Sequence, residues 1–91
     1  MPMDPDARPE WWDWEIAFTP HVEARMEERG FSEVELRGML EDALGFAPAS
    51  RPGRYTIATR FAAKPWVVVV EPDEEERLLF VVTAYPREQQ P

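Results

Sequence analysis

The chain has 91 residues, of which 44% are apolar and 31% are charged, and its net charge is −8. This length allows one domain and excludes two independent modules, and the apolar fraction is too high for an intrinsically disordered chain. With no cysteine and one histidine, the sequence excludes disulfides, thiolate metal sites and a cysteine nucleophile. We therefore expect neither a cofactor nor a metal ion.

The longest uninterrupted apolar runs, Trp66–Val70 and Leu78–Val82, are much shorter than the roughly 20 residues that a membrane span requires. No cationic and apolar leader precedes them. We expect a soluble cytoplasmic protein that does not contact a membrane.

The N-terminal residues 1–13 are acidic and contain prolines and tryptophans, which predicts an irregular tail. A single α+β domain is expected over 14–87, followed by a short C-terminal tail over 88–91. Apolar residues alternate with polar ones from Trp12 to Phe18, which indicates a short first strand. The alternative is a segment that packs its tryptophans over the core.

Two helices with clear boundary signals follow. Thr19 can cap a first helix with Pro20 at its first position, and Gly30 can end it, so a helix over 20–29 is predicted. Ser32 and Glu35 form a capping box for a second helix, which we expect to end at Gly45. The apolar stripe of this second helix predicts burial against a sheet: Val34, Leu36, Met39, Leu40, Ala43 and Leu44.

The apolar period changes from helical to alternating after a proline-containing loop over 46–53. Strands are predicted over Arg54–Phe61, Pro65–Glu71 and Arg77–Tyr85, joined by connections of hairpin length. The last two are nearly continuous apolar runs, which predicts cover on both faces. The predicted fold is α+β, with two N-terminal helices packed on a three- to four-stranded antiparallel sheet.

A cationic ridge is expected on the first helix. His21, Arg25 and Arg29 follow each other at intervals of four, so they share one side of the helix. This arrangement can present positive charge and a proton carrier to a phosphodiester. The alternative is structural: Arg25 pairs with Glu28, Arg29 pairs with Glu33, and His21 has no role.

A second set of polar side chains lies on the predicted strands. Arg54 and Arg60 share a strand face with Thr56, and Thr83 shares a face with Tyr85. Guanidinium groups stabilise negative charge on phosphate, and a tyrosine hydroxyl can transfer a proton. Ordinary strand propensity is the alternative explanation for these residues.

The acids are segregated along the chain. Residues 46–91 hold six acids and six bases, and five of those acids lie in the run 71–76. We expect that run to form a solvated hairpin turn without a bound ion. The remainder of this half is cationic, which keeps nucleic acid among the possible partners despite the negative net charge.

Three segments together resemble a known family: Thr19 to Ser32, the triplet Gly53-Arg54-Tyr55, and Val82-Thr83-Ala84-Tyr85-Pro86. The family is a bacterial domain of unknown function with a His-x3-Arg-x3-Arg-Gly helix and a final Val-Thr-x-Tyr strand. It looks like a relative of the BrnT-type and RelE-type toxins in the barnase, colicin and RelE ribonuclease superfamily. The resemblance covers roughly residues 17–87.

The resemblance implies a RelE-like or barnase-like fold and a metal-independent endoribonuclease of a toxin–antitoxin system. Such an enzyme cleaves RNA through attack by the 2′-hydroxyl of the RNA itself. Carried onto this sequence, the resemblance implies catalytic roles for His21, Arg25, Arg60 and Tyr85, and RNA binding by Arg29, Arg54 and Thr83.

A non-catalytic function is the competing hypothesis. In that case the acidic surface makes the chain a protein-binding module, including one that mimics nucleic acid. In either case an antitoxin or another protein partner would be contacted through the tryptophan segment, Trp11, Trp12 and Trp14.

Overall fold

A computed structural model describes residues 9–87. A 3-10 turn at Glu10–Asp13 precedes two helices and five strands. In chain order these are β1 (Glu15–Phe18), α1 (Pro20–Arg29), α2 (Glu33–Glu41), β2 (Gly45–Pro48), β3 (Tyr55–Phe61), β4 (Lys64–Asp73) and β5 (Leu78–Pro86). The fold is α+β with N-terminal helices, as predicted, and the expected C-terminal tail over 88–91 lies outside the described residues.

The predicted boundaries of α1 are confirmed by its caps. The Thr19 hydroxyl accepts a hydrogen bond from the backbone N–H of Val22 at 3.2 Å, and Pro20 occupies the first turn. Gly30 ends the helix with φ 74°, a left-handed conformation that costs glycine little because it has no Cβ.

Helix α2 has the predicted capping box but a different end. Ser32 and Glu35 exchange side-chain and backbone hydrogen bonds of 2.9 and 3.3 Å. The helix stops at Glu41, and Gly45 instead begins β2, so the predicted end at Gly45 is wrong. Near this end the hydroxyl of buried Thr59 donates a hydrogen bond to the carbonyl of Met39. A helix carbonyl that has no partner within its own helix is thereby satisfied.

The sheet has five strands in the order β1-β5-β4-β3-β2. The prediction of three or four antiparallel strands is therefore wrong in two respects. Strand β2 falls in the segment expected to be a loop, because Pro48 weakened its strand pattern and an edge strand tolerates proline. Strand β1 is parallel to β5, with Phe18 beside Val81, a pairing between residues far apart in sequence.

One face of the sheet carries the hydrophobic core. Alternate residues of the central strands, among them Ile57, Val68, Val70 and Val81, are fully buried, and the helices pack on this face. In contrast, Val34 of the predicted apolar stripe is 77% exposed. Leu44, also predicted to be buried, lies after the end of α2 and is 40% exposed.

The tryptophan segment belongs partly to the core. Trp11 is 8% exposed, and its ring lies 5.0 Å from the ring of Tyr55 and 5.8 Å from that of Phe46, measured between centroids. The tail expected over 1–13 therefore does not extend to Trp11, and residues 1–8 of it lie outside the described part. Within residues 9–87, no helix is both long enough and apolar enough to cross a membrane.

Candidate functional site

The face of the sheet opposite the helices is open in the part of the chain that the structure describes. Side chains alternate between faces along a strand, so the neighbours of buried Val68, namely Val67 and Val69, point away from the core and are only half-buried. The prediction that the central strands are covered on both faces is wrong. Strands β4 and β5 instead carry apolar residues on both faces, and the helices cover one of these faces.

Strand pairing arranges the polar residues of this open face in rows. Thr56, Val69 and Thr83 form one row across three strands, and Ala58, Val67 and Tyr85 form the next. Successive rows are about 7 Å apart, because two residues separate them along each strand. Thr83 and Tyr85 are therefore neighbours over an apolar floor.

Two arginines lie one row beyond Tyr85, at the end of the open face that we call the basic end. Arg60 pairs in register with Pro65, and the backbone N–H of Arg87 donates to the Pro65 carbonyl at 2.9 Å. No ion pair is recorded for Arg60 or Arg87 within residues 9–87, and the Tyr85 side chain is 39% exposed. A shallow pocket of about 390 Å³ lies here, and its lining includes Phe46, Ala47, Thr56, Val67, Tyr85 and Arg87.

The other end of the open face is acidic. Glu71 accepts an ion-paired hydrogen bond of 2.9 Å from Nε of Arg54. The carboxylate of Asp73 accepts backbone N–H bonds from the exposed residues Glu75 and Glu76, in the predicted hairpin turn. Arg54 and Arg60 are six residues apart on one strand, or about 20 Å. They cannot both contact one phosphodiester.

The predicted cationic ridge lies on α1, in the helical layer. His21, Arg25 and Arg29 are all exposed there, and Arg25 lies 3.7 Å from Glu28. The structural alternative predicted a pair between Arg29 and Glu33. Glu33 instead pairs with Arg37 of its own helix, at 3.1 Å. The ridge is thus on the side of the sheet opposite Thr83 and Tyr85.

Helix α1 begins beside the middle of β5. Strand β1 runs parallel to β5 and ends beside Val81, so α1 begins near the carboxyl-terminal half of β5. Arg29, eight residues further along the helix, is displaced from His21 by about 12 Å along the helix axis. Phe31, two residues after Arg29, packs on Phe61 and Trp66 with ring centroids 5.7 and 5.4 Å away, so the end of α1 lies over the basic end, in the helical layer.

The seven residues selected from the sequence therefore do not form one cluster. Arg60, Thr83 and Tyr85 share the open face at its basic end, whereas Arg54 is at the acidic end and the ridge is in the other layer. Arg87 was missed because the predicted last strand stopped at Tyr85. Continuing the two-residue alternation by one step would have placed Arg87 on the Tyr85 face.

A metal centre is not evident in the described region. Within residues 9–87, no group of three or more histidine, aspartate or glutamate side chains is placed to hold a metal ion. The residues at the basic end offer guanidinium and hydroxyl groups, which bind anions.

Comparison with known proteins identifies the family. Neither a search of curated proteins nor a search of solved structures finds a match to this chain. A family model described as Domain of unknown function (DUF4258) matches residues 18–86, which include both helices, strands β2 to β5 and the last residue of β1. Arg60 and Tyr85 lie inside this range, and Arg87 lies one residue beyond it. The chain belongs to the DUF4258 family.

Proposed function

We propose that this chain is a toxin-like, metal-independent endoribonuclease that binds RNA at the basic end of the open sheet face. The observation that carries the proposal is the position of Arg60 and Arg87 in the row next to that of exposed Tyr85, on a face that neither α1 nor α2 covers. Arginine is suited to bidentate contact with phosphate. An exposed aromatic ring beside it provides a surface on which a base can stack.

The distribution of charge supports this site despite the net charge of −8. The helical layer carries the acids of α1 and α2, whereas the acids on the open face lie at the end opposite Tyr85. Within residues 9–87, an anionic polymer that approaches the basic end meets Arg60 and Arg87 before any carboxylate of the same face. Local positive charge can therefore attract RNA although the whole molecule repels it.

Cleavage by this route needs a base, an acid and stabilisation of the phosphorane-like charge. The 2′-hydroxyl loses its proton to the base and its oxygen bonds to phosphorus. The bond from phosphorus to the 5′-oxygen breaks, and the acid returns a proton to that oxygen. Tyr85 is proposed as the proton donor and Arg60 with Arg87 as the groups that stabilise the developing charge. His21 lies in the helical layer on the other side of the sheet, so solvent water is proposed to accept the proton of the 2′-hydroxyl.

Induced expression in a bacterial host, followed by cleavage assays on purified protein with a metal chelator, tests the proposal. We expect growth arrest and RNA cleavage that persist with chelator and disappear in Tyr85→Phe, which removes only the hydroxyl. His21→Ala tests separately whether the helical layer carries the chemistry. If His21→Ala abolishes cleavage while Tyr85→Phe preserves it, the chemistry lies on the helical layer and the open-face proposal is wrong.

A non-catalytic binding module is the second candidate, favoured by the acidic helical surface. Seven carboxylates lie between residues 19 and 45, against three arginines. A protein partner would have to be basic to complement these acids. Trp11 is buried and cannot contact such a partner, so only the half-buried Trp12 and Trp14 of the tryptophan segment remain accessible. If this candidate is correct, the wild-type protein should neither bind nor cleave RNA. It should still bind a basic protein at low ionic strength.

A further inference from the structure

A second cavity lies far from the open face, between the 3-10 turn and α2. It measures about 290 Å³, near the lower limit of small-molecule sites. Its floor is formed by core side chains, because Ile57, Leu79 and Leu40 are 0%, 2% and 8% exposed. Two indole rings, Trp12 and Trp14, form part of the wall. The cavity therefore combines an apolar floor with aromatic sides.

The charges that line this cavity are predominantly negative. Asp13, Glu41 and Arg37 line it, and Arg37 is already paired with Glu33 at 3.1 Å. No ion pair of Asp13 or Glu41 is recorded among the described residues. A bound molecule therefore meets two carboxylates that lack a cation partner and one arginine that has an anionic partner.

The indole rings are also placed to attract positive charge. The guanidinium carbon of Arg77 lies 5.9 Å from the centre of the Trp14 ring, within the range of a cation–π contact. Arg77 does not line the cavity, so this contact lies outside it and shows only that the Trp14 ring already attracts one cation. Trp12 continues the aromatic surface, with its ring centre 5.7 Å from that of Trp11.

We propose that this cavity binds a small organic cation of the quaternary ammonium class. A primary ammonium would donate its N–H groups to the carboxylates of Asp13 and Glu41, and a donor turned to the apolar floor would be left unsatisfied at a cost. A trimethylammonium group has no N–H donors, so it can contact the floor through its methyl groups while its charge faces the indoles and carboxylates. The site is independent of the RNA-binding face.

The test uses the full chain and choline as the probe, with the indole N–H signals followed by NMR. The control ligand is the uncharged carbon isostere of choline, in which a tert-butyl group replaces the trimethylammonium. We expect choline to shift the Trp12 and Trp14 signals in a saturable way and to leave that of buried Trp66 unchanged. The isostere should bind more weakly by about threefold to fivefold, as expected for loss of an exposed cation–π contact.

Charge-removing variants locate the site. Glu41→Gln, at an exposed position that should not affect folding, is expected to weaken choline binding by about twofold to fivefold. Glu74→Gln removes the same charge at the distant hairpin turn and should leave binding unchanged. Equal binding of choline and its isostere, equal effects of the two variants, or no shift at saturating choline would each overturn the proposal.

Discussion

The salt dependence of RNA binding provides the most quantitative test of the open-face site. Two arginines at the basic end, Arg60 and Arg87, have no recorded ion-pair partner in residues 9–87, so each can neutralise one phosphate. For single-stranded nucleic acid the logarithm of the binding constant falls with the logarithm of salt concentration by about 0.7 per phosphate contact. The predicted slope is therefore about −1.4, or a sevenfold loss of affinity between about 50 and 200 mM salt.

Replacing either arginine by glutamine should halve this slope. In Arg60→Gln or Arg87→Gln, the same change of salt should weaken binding by only about 2.5-fold, and the double variant should be nearly insensitive to salt. Fluorescence anisotropy with a labelled single-stranded RNA and catalytically inactive Tyr85→Phe protein gives the measurement without cleavage. Arg37→Gln, which removes a paired guanidinium from the helical layer, is the matched control and should keep the parental slope. A slope that changes in the control as much as in Arg60→Gln would refute the reasoning.

The remaining predictions concern catalysis and the fold. Tyr85→Phe should reduce RNA cleavage at least about 100-fold, the usual contribution of a positioned acid or base, while RNA affinity stays within about twofold; parallel loss of affinity would instead indicate a binding role. Trp11→Ala should lower the free energy of unfolding by about 3–5 kcal/mol because the indole is buried against aromatic rings, and denaturant titration measures it. Thr59→Val, which is nearly isosteric, should lower the free energy of unfolding by about 1–3 kcal/mol because the Met39 carbonyl loses its donor. Thr59→Ser keeps the hydroxyl and should largely avoid this loss. Gly30→Ala should cost about 1–2 kcal/mol because a Cβ is strained at φ 74°; an unchanged melting temperature would contradict the assigned cap.

Local signals in the sequence predicted the helices and three of the strands. The caps of α1 and the capping box of α2 involve residues within three positions of each other, so sequence spacing reports them directly. Strands β3, β4 and β5 are long runs with strong β-propensity and short connections, which also makes their antiparallel pairing a local property. The buried alternation of Ile57 and Thr59 followed from the same period.

Long-range pairing determined what the sequence did not predict. The alternation from Trp12 to Phe18 indicated a short first strand, but not that β1 pairs in parallel with the distant β5. Strand β2 has four residues, too short for a clear period. The tryptophan segment could pack on the core or remain outside it, and the contact of Trp11 with Phe46 and Tyr55 exists only after β2 and β3 have paired. The exposure of Val34 depends on which side of α2 meets the sheet.

For the candidate site too, the sequence determined some features and the tertiary structure determined others. The sequence by itself identified the residue types, because histidine, tyrosine and arginine at regular intervals are chemically informative wherever they lie. Only the tertiary structure decided that Arg60, Thr83, Tyr85 and Arg87 share one end of an open face and that Arg54 is at the other. The physical reason is that spacing along one helix or strand fixes neighbours within that element, whereas the layer and end of the sheet at which two elements meet depend on packing between distant segments.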